Sequence, residues 1–202
     1  MTLKEQTVNG VVWNAVGTIS SFTIEFLIGI FLARILTPEE FGLVGTIMVV
    51  IAISQVFVNS GFSQAIVRKQ DCTEKDYSTA FYFNLIIGVF LFLILIATAK
   101  PISNFFNNDE LKPLIQVLGL GLVISALTLI QQSILIKKID FKLQTKIAVI
   151  AASVSGMVAV GMAFAGYGVW SLIAKSLINQ GITSCLLWFS NRWRPSFIFS
   201  MK

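Results

Sequence analysis

The chain has 202 residues, 55% apolar and only 12% charged, with a net charge of +5 and a mean hydropathy of +0.82. Seventeen Phe in a chain this size are too much oil for one core with so few charges around it, so the solvent is lipid. That balance excludes a disulfide-stapled secreted scaffold, a disordered tail and a nucleic-acid binder. His is absent, which removes the most versatile acid–base group and metal ligand. The two cysteines, Cys72 in a polar stretch and Cys185 in an apolar one, have neither CxxC nor metal-ligand spacing and are expected as free thiols. The apolar stretch from Val8 is too long for a signal peptide and has no small-residue cleavage site, so it is expected to stay in the mature protein.

A hydrocarbon core of about 30 Å takes about 20 helical residues at 1.5 Å each. Six windows satisfy this: Val8–Ala33, Phe41–Ile66, Ala80–Ala99, Pro113–Ile136, Ile147–Ala165 and Gly168–Phe189. The expected fold is therefore an all-α integral membrane protein. In the first joint, Thr37–Pro38–Glu39–Glu40 places proline and acids where a first helical turn favours them. The third window is the cleanest, with Asn84 its one strongly polar side chain, and suits a wall facing lipid. In the fifth, Ala151, Ser155, Ala159 and Ala163 form a small-residue ridge that lets helix backbones approach closely. Gly166–Tyr167–Gly168 is an uncharged hairpin into the sixth.

Counting Lys and Arg by side orients the bundle. The N-terminus, second and fourth loops and C-terminus hold 11, the other three loops hold 3, and Lys175 lies within a span. Cytoplasmic loops carry the excess, so both termini are expected in the cytoplasm. The same clusters also suit anionic lipid head groups.

Two ionisable groups fall inside spans, where they are costly and tend to face a bundle interior or a wet cavity. Glu25 stands eight residues before the outer end of the first span and Lys175 seven residues past the outer start of the sixth. At 1.5 Å per residue both lie about 10–12 Å deep, so a Glu25–Lys175 pair or a shared cavity is expected. Asn14, Thr18, Ser21 and Glu25 recur on one face of the first span, and Ser171, Lys175 and Asn179 on one face of the sixth, with Gln180 beside them. Gln55 and Asn59 are four apart in the second, and Gln131 and Gln132 lie near the end of the fourth. Such amides and hydroxyls either tie helices together or line a polar path. Glu25, Lys175, Asn14, Gln55, Asn59 and Asn179 are the expected cavity residues. There is no HExxH, GxSxG or P-loop, and the other acids lie in loops, so no enzyme activity, metal or cofactor is expected.

Three stretches carry a resemblance: FLARILTPEEFGLVGTIMVV (31–50), GFSQAIVRKQDCTEKDYSTAFYFNL (61–85) and GYGVWSLIAKSLINQGITSCLLWFSNRWRPSFIFS (166–200), with IKKIDFK (136–142) as a weaker basic linker. The chain resembles polysaccharide flippases of the multidrug/oligosaccharidyl-lipid/polysaccharide exporter superfamily, in the branch of lipopolysaccharide biosynthesis and colanic-acid-type exporters. The resemblance implies a two-lobed transporter of which residues 1–202 are the N-terminal six-helix lobe. It also implies alternating access and an undecaprenyl-diphosphate-linked oligosaccharide as cargo in the bacterial cytoplasmic membrane. Members are about twice this length, so the chain is expected either as a fragment or as one lobe pairing with a second copy. Rival readings are a cation-coupled multidrug exporter of the same superfamily, a non-transporting scaffold subunit of a polysaccharide-assembly complex and, disfavoured by the missing catalytic residues, a membrane glycosyltransferase or acyltransferase.

Overall fold

The computed structural model describes residues 3–58, 66, 72–138 and 140–196, and at 3–9 and 11 the backbone alone. Six long helices carry the described chain: α1 (Leu3–Ile35), α2 (Pro38–Val58), α3 (Glu74–Phe105), α4 (Leu111–Lys137), α5 (Phe141–Phe164) and α6 (Val169–Ser190). Helices dominate because lipid offers backbone N–H and C=O groups no partner, and a helix pairs them within itself. The first five are long and apolar enough to cross a membrane. Five such helices in one chain are the pattern of a multi-pass membrane protein. The sixth has the length, but Lys175, Asn179 and Gln180 hold its hydropathy below that level.

Local chemistry sets the helix ends. Thr37 and Glu40 form a capping box on α2: Thr37 N donates to Glu40 Oε2 at 2.8 Å, and Glu40 N to Thr37 Oγ1 at 3.3 Å. Thr73 and Asp76 do the same for α3, which therefore begins at Glu74, six residues before its expected start at Ala80. Its other end runs through Pro101 to Phe105, past the expected stop at Ala99. Pro101 has no N–H to give the Ala97 carbonyl, yet the helix continues for one more turn beyond it. Asp140 caps α5 by accepting from Leu143 N at 3.1 Å, so α5 starts at Phe141 rather than Ile147.

The helices form a curved layer in the order α1, α5, α6, α4, α3, with α2 laid across α4 and α6. The starts of α1, α3 and α5 share one end of the bundle with the ends of α4 and α6: Lys142 meets Trp13, Lys137 meets Tyr77, and Trp188 Nε1 donates to Leu127 O at 3.2 Å. The central helix is α4, whose Leu114, Ile115, Leu118, Leu122 and Ala126 are buried against Val44 and Ile47 of α2, Leu95 and Ala99 of α3, and Ile173 of α6. Asn84 of α3 is fully buried with neither amide atom bonded, while Phe83, Ile86, Phe90 and Leu93 of the same helix are exposed to the apolar surroundings.

The small residues of α5 are buried as a seam: Ala151, Ala152, Ser155, Gly156, Ala159 and Ala163. Leu32 of α1 and Leu36 just past its end close against Ala159 and Ala163, and Ile28 lies where a side chain on Gly156 would stand. After α6 the chain does not trail away. Asn191 Nδ2 donates to Gln131 O at 2.9 Å, the Trp193 ring meets Tyr77 and Phe81 edge-on, and Ser196 N donates to Ser78 Oγ at 3.0 Å. This strap fastens the ends of α3, α4 and α6 together.

The hairpin between α5 and α6 places Gly166 at φ +81° and Gly168 at φ +51°, backbone that L side chains resist. Gly168 also abuts the Glu40 carboxylate, which thus stands at the N-terminus of α6 while completing the α2 cap. Gly168→Ala is expected to cost about 1–2 kcal/mol from the backbone alone, before displacement of Glu40 is added. The thermal midpoint in detergent should fall, whereas Gly42→Ala, where a Cβ meets nothing within 4 Å, should leave it in place.

Candidate functional site

Several hydroxyls in the spans are already used locally. Thr23, Thr46, Ser54, Thr98, Thr128 and Ser133 each donate to a carbonyl four residues back in their own helix. Residues of a second kind keep hydrogen-bonding capacity free, and these converge.

The loop of Leu36 and Thr37 joins α1 to α2, yet α1 lies on α5 while α2 lies on α4 and α6, so the two helices diverge. Three adjoining cavities form a groove along α1, bounded by α5, then by α4 and α6, and lastly by α2 and α6. The first, about 280 Å³, is lined by Asn14, Thr18, Ser21 and Glu25 of α1 and by Gln144 and Thr145 of α5. The second, about 160 Å³, joins Ser21, Glu25 and Gln144 to Gln132 of α4 and to Asn179 and Thr183 of α6. In the third, about 310 Å³, Glu25 faces Lys175, Ser176, Asn179 and Gln180 of α6, with Val44 and Met48 of α2 as its apolar wall. Glu25 is the one residue common to all three.

Glu25 and Lys175 thus line the same cavity, but their charges do not touch: no N–O separation between them falls within the 4.0 Å of an ion pair. Glu25 is exposed in the groove and Lys175 half-buried. Asn14 lines the first cavity with no hydrogen-bond partner among the described residues. Asn179 lines the second and third and donates from Nδ2 to Ser155 Oγ at 3.3 Å. Gln55 lies apart, tying α2 to α4 through Nε2 to Ser125 Oγ at 3.0 Å. Asn59 falls outside the described residues.

Four polar groove residues were not singled out from sequence: Gln144, Thr145, Ser176 and Thr183. Gln144 hides in the basic joint before the expected start of the fifth span. Ser176 is the immediate neighbour of Lys175. Thr183 continues the row of Ser171, Lys175 and Asn179 by one further step of four, a signal that was there to use.

Two groove atoms are buried without a partner, Ser21 Oγ and Gln180 Oε1. Leaving such an atom unpaired costs about 1–3 kcal/mol, which a hydroxyl-rich ligand or water entering the groove would recover. One carboxylate, one ammonium and several amides and hydroxyls make an arrangement suited to binding a polar, hydroxylated molecule. A group of three metal-ligating side chains does not occur among the described residues. A further cavity of about 280 Å³ lies at the opposite helix ends, lined by Glu40, Glu110, Tyr167 and Trp170, and does not connect with these.

Comparison with known proteins agrees with this architecture. The chain is 27% identical over 202 residues to the succinoglycan biosynthesis transport protein ExoT of Rhizobium meliloti, covering all of this chain and 41% of that protein. It is 26% identical over 204 residues to the teichuronic acid biosynthesis protein TuaB of Bacillus subtilis, covering all of this chain and 42% of TuaB. To the lipopolysaccharide biosynthesis protein WzxC of Escherichia coli it is 24% identical over 214 residues, again along its whole length and 41% of WzxC. The chain therefore spans about two fifths of the curated relatives it matches. No solved structure matches it. The family described as polysaccharide biosynthesis protein matches residues 31–202, from the last turns of α1 through the strap, and the chain belongs to that family.

Proposed function

We propose that this six-helix bundle is one lobe of an exporter that flips lipid-linked oligosaccharide repeat units across the bacterial cytoplasmic membrane, with its groove receiving the polar head of the cargo. The observation that carries this reading is the groove itself: hydrogen-bonding groups left free in an apolar bundle, gathered on one face around Glu25. Lys175 answers the negative charge of an undecaprenyl diphosphate, and Asn14, Ser21, Gln144 and Asn179 answer sugar hydroxyls. Glu25 stands across the third cavity from Lys175, and its carboxylate oxygens can accept from sugar hydroxyls.

The prenyl tail stays in lipid, and alternating access arises from rocking of this bundle against a second lobe, either a later part of the same polypeptide or a second copy. The excess of Lys and Arg at the basic end supports a cytoplasmic position for that end and for both ends of residues 1–202. The cargo is moved, not cleaved. Lys175 weighs against a cationic drug as cargo.

The test is surface-polysaccharide export in cells carrying the full-length protein with Glu25→Gln or Lys175→Ala. Both are expected to impair export at unchanged membrane abundance. Normal export by both variants would overturn the cargo assignment.

A further inference from the structure

All three cation–aromatic contacts among the described residues lie at the basic end of the bundle: Lys137 with Tyr77, Arg194 with Trp188, and Lys142 with Trp13. The first two are built into the strap region. The third differs, because its cation and its ring are both exposed and stand on separate helices.

Lys142 Nζ lies 5.3 Å from the centre of the Trp13 ring. Thr145 Oγ1, less than one turn further along α5, donates to Trp13 O at 2.8 Å and so fixes this part of α1 against α5. Lys146 follows Lys142 by four residues and shares its face. Both lysines are exposed, and neither meets a carboxylate among the described residues. The nearest acid in sequence, Asp140, is engaged with Leu143 N as the α5 cap.

This face is not the groove. Lys142 and Gln144 are two residues apart and so point roughly 160° from one another around α5. Gln144 and Ala148 line the groove on one flank of the α1 contact. The lysines lie on the other flank, continuous with the exposed apolar residues Ile150, Val154 and Met157. Two unpaired ammonium groups one turn apart, an aromatic ring at their level and an apolar track beyond them match a phosphate joined to acyl chains.

We propose that Trp13, Lys142 and Lys146 form a site for the phosphate of an anionic phospholipid, whose acyl chains lie along Ile150, Val154 and Met157. The ammonium groups bind the phosphodiester, and Trp13 holds Lys142 at head-group depth. The site stands or falls independently of what the groove carries.

Tryptophan quenching by brominated lipids tests it, with the Trp13 signal taken as the difference between the full-length protein and its Trp13→Phe variant. In phosphatidylcholine vesicles containing brominated phosphatidylglycerol, Trp13 is expected to report about tenfold tighter relative binding than for brominated phosphatidylcholine. Lys142→Gln with Lys146→Gln should bring that ratio to about one, and Lys142→Arg with Lys146→Arg should retain it, showing that the fold is intact. Lys138→Gln should change it little. No preference for the anionic lipid, or a preference that survives the double glutamine variant, overturns the proposal. Displacement by millimolar glycerol phosphate would instead mark a free-phosphate site, and displacement by an added prenyl-diphosphate saccharide a station on the cargo path. Either overturns the phospholipid assignment.

Discussion

Export of surface polysaccharide is expected to fall at least about tenfold when Lys175 of the full-length protein becomes alanine, with unchanged amounts of protein in the membrane. The magnitude follows from where the ammonium stands. It is half-buried on the groove wall, faces Glu25 across a cavity of about 310 Å³ and has no ion-pair partner among the described residues. A charge-assisted contact to phosphate lost from such a place costs about 1.5–3 kcal/mol, or a factor of about 10 to 150 in affinity. Stability should not suffer, because removing an unpaired charge leaves no counter-charge stranded. Glu25→Gln keeps the shape and the hydrogen bonding and removes the charge. Its effect on export therefore separates a need for the carboxylate from a need for a polar side chain there.

The second large effect falls on folding. Gly156→Val should lower the thermal midpoint in detergent by about 5–10 °C, equivalent to about 2–3 kcal/mol. Helices in lipid have no hydrophobic force driving them together and associate through close van der Waals contact, so a seam of small residues is where their affinity resides. Ile28 of α1 already fills the space that a side chain on Gly156 would need, and Leu32 sits on Ala159 and Ala163 further along the same seam. Since α1 packs chiefly on α5, prising this seam apart detaches it and opens the groove wall that Asn14, Ser21 and Glu25 form. Gly161→Ala on the same helix meets nothing within 4 Å and should leave the midpoint unchanged.

The membrane class and the helices were legible because hydropathy over about 20 residues is a strong signal. Helix ends were less so. The Thr73–Asp76 cap lies inside a charged stretch that reads as loop, and Pro101 looks like a stop although α3 runs through it to Phe105. That Glu25 and Lys175 would line one cavity could be expected from rise per residue, which is local geometry. Partner choice could not. Gln55 and Asn179 look alike in sequence, yet one is a strut to Ser125 and the other lines the groove, because that depends on which helices diverge. The strap from Asn191 to Ser196 likewise reads as a connection, and its docking depends on aromatic side chains more than a hundred residues away in α3.

The most direct test of the account is whether water reaches the groove. Single cysteines at Ser21, Gln144 and Asn179 in the full-length protein, with Cys72 and Cys185 replaced, should react in intact vesicles with a water-soluble maleimide. Cysteines at Phe90 and Leu93 on the outer face of α3 should not. Labelling at the α3 positions with protection of the three groove positions would mean that the polar face is sealed and the bundle has been read inside out.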